Sequence, residues 1–143
     1  MPTFLPDAAE AGTHNTPGIA GLSAGIGFIL QKGTDAIGAH ERELISRAVR
    51  GLESIPNTRV FRTHGEGEHS GVLSFLVEGQ DVSETAGRLN QRGISVRSGL
   101  HCAPLAHKSA GTLASGTVRV SVSAFTKKSD IDHFLNVMED ITK

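Results

Sequence analysis

The chain has 143 residues, 38% of them hydrophobic and 20% charged, a composition typical of a single globular domain with a real core. Its formal net charge of −1 argues against a binding surface for nucleic acid or for an acidic membrane. The longest apolar run is too short to span a bilayer, and the amino terminus lacks the pattern of a signal peptide. We therefore expect a cytoplasmic protein, and its single cysteine excludes an intrachain disulfide.

The first part of the chain predicts a lead-in followed by two helices. Residues 1–17 show no hydrophobic period and predict an extended lead-in to one domain over 18–143. Asn15, followed by a proline two residues later, predicts the start of a helix whose glycines allow close packing against another element. Thr34 can cap a second, longer helix that stops at Pro56.

The rest of the chain alternates between strand and helix patterns. Four short strands with helices between and after them predict an α+β two-layer sandwich, in which helices cover one face of a small, mainly antiparallel sheet. The predicted elements are strands at 59–63 and 72–77 joined by a polar loop at 64–69, a helix at 81–93 with a capping box, a strand at 94–97, a loop at 98–116, a strand at 118–122 and a helix capped by Ser129.

The predicted loop at 98–116 is unusually long for a compact domain, and such loops are commonly functional. It holds the only cysteine, Cys102. A cysteine attacks as the thiolate, a form that cationic neighbours favour. Candidate neighbours are close in sequence: Arg97, His101, His107 and Lys108. The sequence leaves open the alternative that Cys102 is a small buried hydrophobic residue, as many free cysteines are.

Two further interpretations concern metal and anion binding. His101, Cys102 and His107 could ligate zinc, although their spacing is not a usual finger pattern and the fourth ligand would come from a distant histidine: His14, His64 or His69. Arg119 interrupts an alternating Val/Ser strand, where a planar guanidinium could clamp a carboxylate or could simply be solvated. Gly12 and Thr13 precede a helix start and could hold a phosphate or only cap the helix.

Three of these segments together resemble the carboxy-terminal part of cysteine desulfurases, which are pyridoxal-phosphate-dependent enzymes of the aminotransferase class V group with fold type I. Residues 10–22 (EAGTHNTPGIAGL) resemble the segment that follows the large domain. Residues 97–103 (RSGLHCA) are similar to the catalytic-cysteine loop, and residues 116–121 (GTVRVS) with 129–132 (SDID) to the substrate-arginine strand and the last helix. The resemblance covers the chain from about Leu5 onward.

The resemblance implies a role for each matched residue. Cys102 would attack the sulfur of the substrate L-cysteine on the cofactor and become a persulfide, with alanine released. Arg119 would bind the substrate carboxylate, and Arg97 and His101 would shape the loop and its charge. Gly12 and Thr13 would reach the phosphate of pyridoxal 5'-phosphate across the interface of a homodimer. The sulfur would pass to an acceptor, often a scaffold protein for iron–sulfur clusters.

The cofactor lysine of the family follows a histidine in the large domain, and no segment of this sequence resembles that domain. We therefore expect a carboxy-terminal fragment that binds no cofactor and is inactive alone. A non-enzymatic sulfur carrier or interaction module, and a zinc-binding structural domain, remain alternatives. The preference between cysteine and selenocysteine and the oligomeric state of the fragment stay open.

Overall fold

A computed structural model describes residues 3–9, 12–61 and 70–143 of the chain. The chain divides into two compact units, Met1–Ala36 and Ile37–Lys143. The elements of the described residues are, in chain order, α1 (Thr16–Lys32), α2 (Thr34–Ser54), β1 (Thr58–Phe61), β2 (Val72–Val77), α3 (Val82–Gln91), β3 (Arg97–Gly99), α4 (Pro104–Ala110), β4 (Thr117–Ser121) and α5 (Lys128–Ile141). The assignment of residues 18–143 to one domain stays a prediction.

The first unit begins with turns. The amide of Ala8 donates to the carbonyl of Phe4 at 2.9 Å, and the amide of Ala9 donates to the carbonyl of Pro6 at 2.9 Å. The predicted extended lead-in is therefore wrong for residues 4–9, where a proline presets a turn backbone and small residues follow it. The predicted start of α1 is confirmed, because the side chain of Asn15 accepts a hydrogen bond from the amide of Gly18 at 3.1 Å.

Helix α1 carries an apolar stripe but buries none of its side chains. A side-chain carbon added to its glycine at position 21, 25 or 27 would meet no atom within 4 Å, so the predicted close packing is not found in this unit. The exposed apolar residues of the stripe are Ile19, Leu22, Ile26, Ile29 and Leu30. No helix of the described ranges is long and apolar enough to cross a membrane.

The second unit is built on a four-stranded sheet in the order β1-β2-β4-β3, with every neighbouring pair antiparallel. Alternate residues of the two central strands form the floor of the core, because successive side chains of a strand point to opposite faces. Helices α2, α3 and α5 supply the rest of that core. The α+β fold with a small antiparallel sheet is confirmed. The buried strand residues are Leu73, Phe75, Val77, Val118 and Val120.

The opposite face of the sheet carries a row of paired residues that runs across all four strands. Arg119 of β4 lies opposite Ser74 on one side and opposite Arg97 on the other, and Ser74 lies opposite Phe61. Helix α4 lies on this face, where its residues line a cavity together with Phe61 and Ser74. The expectation that helices cover only one face is therefore correct for α2, α3 and α5 and wrong for the short α4.

The region predicted as a loop at 98–116 contains part of β3 and the whole of α4, which the sequence did not predict. The predicted strand at 94–97 is displaced to Arg97–Gly99, because pairing with β4 fixes the ladder there. Pro104 stands in the first turn of α4, and Gly111, at a φ of +71°, ends it. Helix α5 begins at Lys128, so Ser129 is not its cap. Part of the predicted strand at 59–63 and the polar loop at 64–69 lie outside the described residues.

A close approach of two glycines sets the start of β4. Gly116 is buried with a φ of +69°, and a side-chain carbon added to it would lie 2.7 Å from the Cα atom of Gly99. We expect Gly116→Ala to lower the free energy of unfolding by about 2 kcal/mol, because a methyl group there forces the two chain segments apart. Urea denaturation measures the change.

Gly87 provides the matched control for this substitution. It lies in α3 with open space around it, so Gly87→Ala should raise the free energy of unfolding by roughly 0.5–1 kcal/mol. Equal stability of the Gly116→Ala protein and the wild type would contradict the tight contact at Gly99.

Candidate functional site

Cys102 is a free, exposed cysteine in a tight turn between β3 and α4. Its backbone lies in the left-handed region with a φ of +59°, and that of His101 does so too at +50°. Two consecutive non-glycine residues in this region cost about 1–3 kcal/mol each, and such costs commonly occur at functional sites. The interpretation of Cys102 as a buried hydrophobic residue is wrong.

Hydrogen bonds on both sides hold the turn in place. The amide of Ala103 donates to the carbonyl of Leu100 at 2.8 Å, and the amide of His107 donates to the carbonyl of Ala103 at 3.2 Å. The ring of His101 reaches β4, where its Nε2 atom lies 3.2 Å from the carbonyl oxygen of Thr117. The cysteine is therefore held in a short, anchored turn and not in a long structureless loop.

The protonation of His101 follows from this contact. A carbonyl oxygen only accepts, so Nε2 carries the proton and donates it to Thr117. The Nδ1 atom is buried without a hydrogen-bond partner among the described residues. Burial lowers the pKa of His101 below its ordinary value, and the positive charge of Arg119 lowers it further, against the raising effect of the Thr117 hydrogen bond. The ring is therefore neutral at pH 7.

Arg119 and Arg97 lie directly opposite each other on neighbouring strands. Arg119 is half-buried, and its Nε atom is buried without a hydrogen-bond partner in the part of the chain that the structure describes. Neither guanidinium forms an ion pair with a described carboxylate. Like charges directly across a ladder repel, so this pair favours an anion beside it. The burial of Nε shows that Arg119 is not fully solvated, and its role as a carboxylate clamp stays a prediction.

His107 is a buried histidine on α4, and its structural role could not be predicted from the sequence. His107 is 7% exposed, and its Nδ1 atom lies 2.8 Å from the hydroxyl of Thr112, itself 2% exposed. The two border a cavity of about 160 Å³, which Thr117 also lines with a buried hydroxyl that has no described partner. The sequence does contain a signal for α4, because Pro104 is typical of a helix start and Gly111 of a helix end.

Gly12 and Thr13 belong to the first compact unit. Both are exposed, Gly12 has a φ of +92°, and a side-chain carbon on Gly12 would meet no atom within 4 Å. The exposed Thr13 carries a hydroxyl donor that suits a phosphate group, whereas the first amides of the 17-residue α1 already donate within the chain, from Thr16 to the carbonyl of His14 at 2.8 Å and from Gly18 to the side chain of Asn15 at 3.1 Å. The exposed Thr13 side chain and the open space at Gly12 are therefore the features of this segment that fit the phosphate end of a cofactor such as pyridoxal phosphate.

The zinc interpretation finds no support in the described ranges. No three His, Cys, Asp or Glu side chains gather there in a way that could hold a metal ion. His64 and His69, two of the proposed distant ligands, lie outside the described residues. His101 and His107 already use ring nitrogens on Thr117 and Thr112.

Comparison with known families gives one consistent result. The model of the family aminotransferase class-V matches residues 3–134. A probable cysteine desulfurase of Pyrococcus abyssi is 36% identical over 141 residues, which are 99% of this chain and 34% of that protein. Probable cysteine desulfurase 1 of Mycobacterium leprae is 35% identical over 96% of this chain and 22% of its own length. The chain thus spans about a third or less of these relatives.

Solved structures give the same picture of the fold. The apo cysteine desulfurase of Thermococcus onnurineus superimposes with a TM-score of 0.86 at 36% identity, over 96% of this chain and 34% of that one. The cysteine desulfurase CsdA of Escherichia coli, solved in an S-sulfonic acid form, matches with a TM-score of 0.79 at 30% identity, over 92% of this chain and 31% of that one.

The lowered pKa of His101 predicts a pH dependence of stability. A histidine that is neutral when folded binds fewer protons than in the unfolded chain, so its stabilising contribution is complete above its unfolded pKa and is lost as pH falls toward its folded pKa. The free energy of unfolding should therefore fall more steeply between about pH 7 and pH 5 in the wild type than in His101→Gln. Gln keeps a donor for Thr117 but does not titrate.

Urea titrations at several pH values measure the two slopes. The other six histidines are present in both proteins, so the difference between the slopes isolates His101. Parallel slopes would contradict the neutral, buried ring.

Proposed function

This chain belongs to the aminotransferase class-V family, and from that membership we propose that it is the part of a pyridoxal-phosphate-dependent cysteine desulfurase that carries the sulfur-accepting cysteine and the carboxylate-binding arginine. The relatives that it matches support the activity, and the activity of the whole protein is part of the proposal. The observation that carries it is the half-buried Arg119, which forms no ion pair with a described carboxylate, on the same strand to which the cysteine turn is hydrogen-bonded through His101.

Cys102 is the nucleophile of the proposed sulfur transfer. Its thiolate attacks the sulfur of the substrate L-cysteine, so that a sulfur–sulfur bond forms while the bond between that sulfur and Cβ breaks. The bonding electron pair stays with the three-carbon product, which takes up a proton and leaves as alanine. Cys102 is left as a persulfide, and its exposure allows the terminal sulfur to pass to an acceptor.

Arg119 positions the substrate for this step. A carboxylate beside Arg119 would neutralise the positive charge of Arg119 and of Arg97, which lies opposite it across the ladder. His101 contributes as a neutral ring that ties the turn to β4, so it adds no third positive charge at pH 7. A substrate held by its carboxylate presents its thiol in a fixed direction, which favours attack.

Gly12 and Thr13 are the residues of this chain that we assign to the cofactor. The exposed hydroxyl of Thr13 and the backbone of Gly12 would hold its phosphate, as in the homodimeric arrangement that the resemblance implies. When bound, the cofactor supplies the electron sink that weakens the bond between carbon and sulfur. Partners in this proposal are L-cysteine and a sulfur acceptor such as an iron–sulfur scaffold.

A sulfur carrier or interaction module that uses the same turn is the second candidate, and the exposure of Cys102 suits it as well. A carrier needs an accessible thiol but no anchor for a small carboxylate. Arg119 has no ion-pair partner in the part of the chain that the structure describes, which favours the enzyme and decides which experiment separates the two.

The proposed anchor predicts a preference of Cys102 for alkylating agents that carry a carboxylate. Iodoacetate and iodoacetamide react with the same thiolate, so the ratio of their rate constants does not depend on how much thiolate is present. We expect Arg119→Gln to lower this ratio about fivefold, which corresponds to roughly 1 kcal/mol, and Arg119→Lys to lower it less. Mass spectrometry of the alkylated chain measures both rates.

Arg59→Gln is the matched control for this experiment. Arg59 lies on the same face of the sheet, exposed and stacked over Phe61 at 4.9 Å, and its replacement should leave the ratio unchanged. A ratio that Arg119→Gln and Arg59→Gln leave equally unaffected would contradict the anchor and favour the carrier.

A second prediction concerns turnover. The resemblance assigns the cofactor lysine to a large domain, and this chain matches only 34% of the Pyrococcus relative. We expect this chain, incubated with pyridoxal phosphate and L-cysteine, to form no alanine by amino-acid analysis, while a full-length relative does. Alanine formed by the chain, and lost in Cys102→Ser, would show that the lysine is not required from elsewhere.

A further inference from the structure

We propose that His107, oriented by Thr112, is a positioning residue that fixes the Cys102 turn relative to β4. The proposed function assigns no role to either side chain. His107 lies on α4, 7% exposed, and its Nδ1 atom lies 2.8 Å from the hydroxyl of Thr112, which is 2% exposed. The inference rests on the proposed function only for the importance of Cys102.

The two residues connect the cysteine turn to the arginine strand through consecutive hydrogen bonds. The amide of His107 donates to Ala103, the residue after Cys102, at 3.2 Å. The amide of Thr112 donates back to the carbonyl of His107 at 2.8 Å, and the amide of Gly116 donates to the carbonyl of Thr112 at 2.7 Å. Gly116 directly precedes β4, so these bonds form a continuous route from the turn to the strand, beside the direct contact of His101 with Thr117.

A side-chain hydrogen bond to Thr112 orients the His107 ring. A cavity of about 160 Å³ lies against His107 and Thr112, so the ring has room to turn when the bond is absent. The centroid of the His107 ring lies 6.0 Å from that of His101. A displaced His107 ring would therefore reach the ring that anchors the turn to Thr117.

The turn needs such support because its backbone is strained. His101 and Cys102 both lie in the left-handed region, and residues other than glycine stay there only where surrounding contacts hold them. Loss of the His107 contact should let the turn adopt several backbone conformations. The thiol would then no longer occupy one place beside the arginine strand.

The single cysteine allows a direct test. Alkylation of Cys102 with bromotrifluoroacetone places one trifluoromethyl group on the turn, and fluorine NMR reports how many conformations that group samples. We expect one narrow resonance in the wild type. Thr112→Val, which keeps the shape of the side chain and removes the hydroxyl, should replace it with a broadened or split signal, and His107→Leu should do the same.

Conservative variants separate the hydrogen bond from a general loss of structure. Thr112→Ser keeps the hydroxyl, and His107→Asn keeps a polar nitrogen near the position of Nδ1, so both should retain the single resonance. Ser109→Ala removes another hydroxyl of α4, one that donates to the carbonyl of Leu105, and should have no effect. Thermal unfolding followed by circular dichroism checks that each variant is folded.

The signal of Thr112→Val decides the proposal. A wild-type resonance in that protein would overturn it, even with a lowered melting temperature, because the bond would then stabilise the fold without positioning the thiol. If Thr112→Val does not fold, His107→Asn and His107→Leu take its place, and identical resonances in these two would overturn it. Failure of the proposed function, a constant alkylation ratio in Arg119→Gln, leaves the fluorine result unaffected.

Discussion

The antiparallel pairing of β3 with β4 places the Cys102 turn next to the strand that carries Arg119. Only three residues of β3 pair with β4. The last of them, Gly99, lies opposite Thr117 and in close contact with Gly116. The chain leaves this ladder directly into the Cys102 turn and returns to it through α4. The turn and β4 are therefore neighbours in space, because the short edge strand β3 leads into the turn and also pairs with β4.

Buried polar atoms without a described hydrogen-bond partner also cluster near the Cys102 turn. A folded protein pairs most of its buried polar atoms, and unpaired ones call for a physical explanation. Three of the four unpaired buried side-chain atoms among the described residues belong to His101, Thr117 and Arg119, next to the cysteine turn. The hydrophobic core under the other face of the sheet, by contrast, is closed by apolar side chains from three helices.

The sequence predicted the fold well where a regular period runs through an element. Strand Val72–Val77 and the stop of α2 before Pro56 follow directly from alternation and from a breaker, and Asp81 caps α3 as expected by accepting from Ser83 and Glu84. Prediction failed between residues 94 and 116. There the pairing with β4 decides which residues are strand, and α4 is too short for a hydrophobic period to identify it.

The geometry of the candidate site could not be predicted for a similar reason, and the roles of its residues stay predictions. The identities of Cys102, Arg97 and Arg119 follow from residue chemistry and from the family resemblance, but the contact between His107 and Thr112 depends on how α4 folds back onto the sheet. Neither hydrogen-bond pairing nor the left-handed backbone at His101 can be inferred from a pattern of residue types. These features require the three-dimensional fold.

The opposition of Arg97 and Arg119 across the ladder has a thermodynamic consequence for the folded chain. With no described carboxylate beside them, the pair is at its least favourable when nothing negative is bound. Occupancy by an anion relieves that repulsion, so binding and folding reinforce each other by mass action. Sulfate or phosphate in a buffer would compete for the same location, and the affinity for a carboxylate ligand measured there would fall as ionic strength rises.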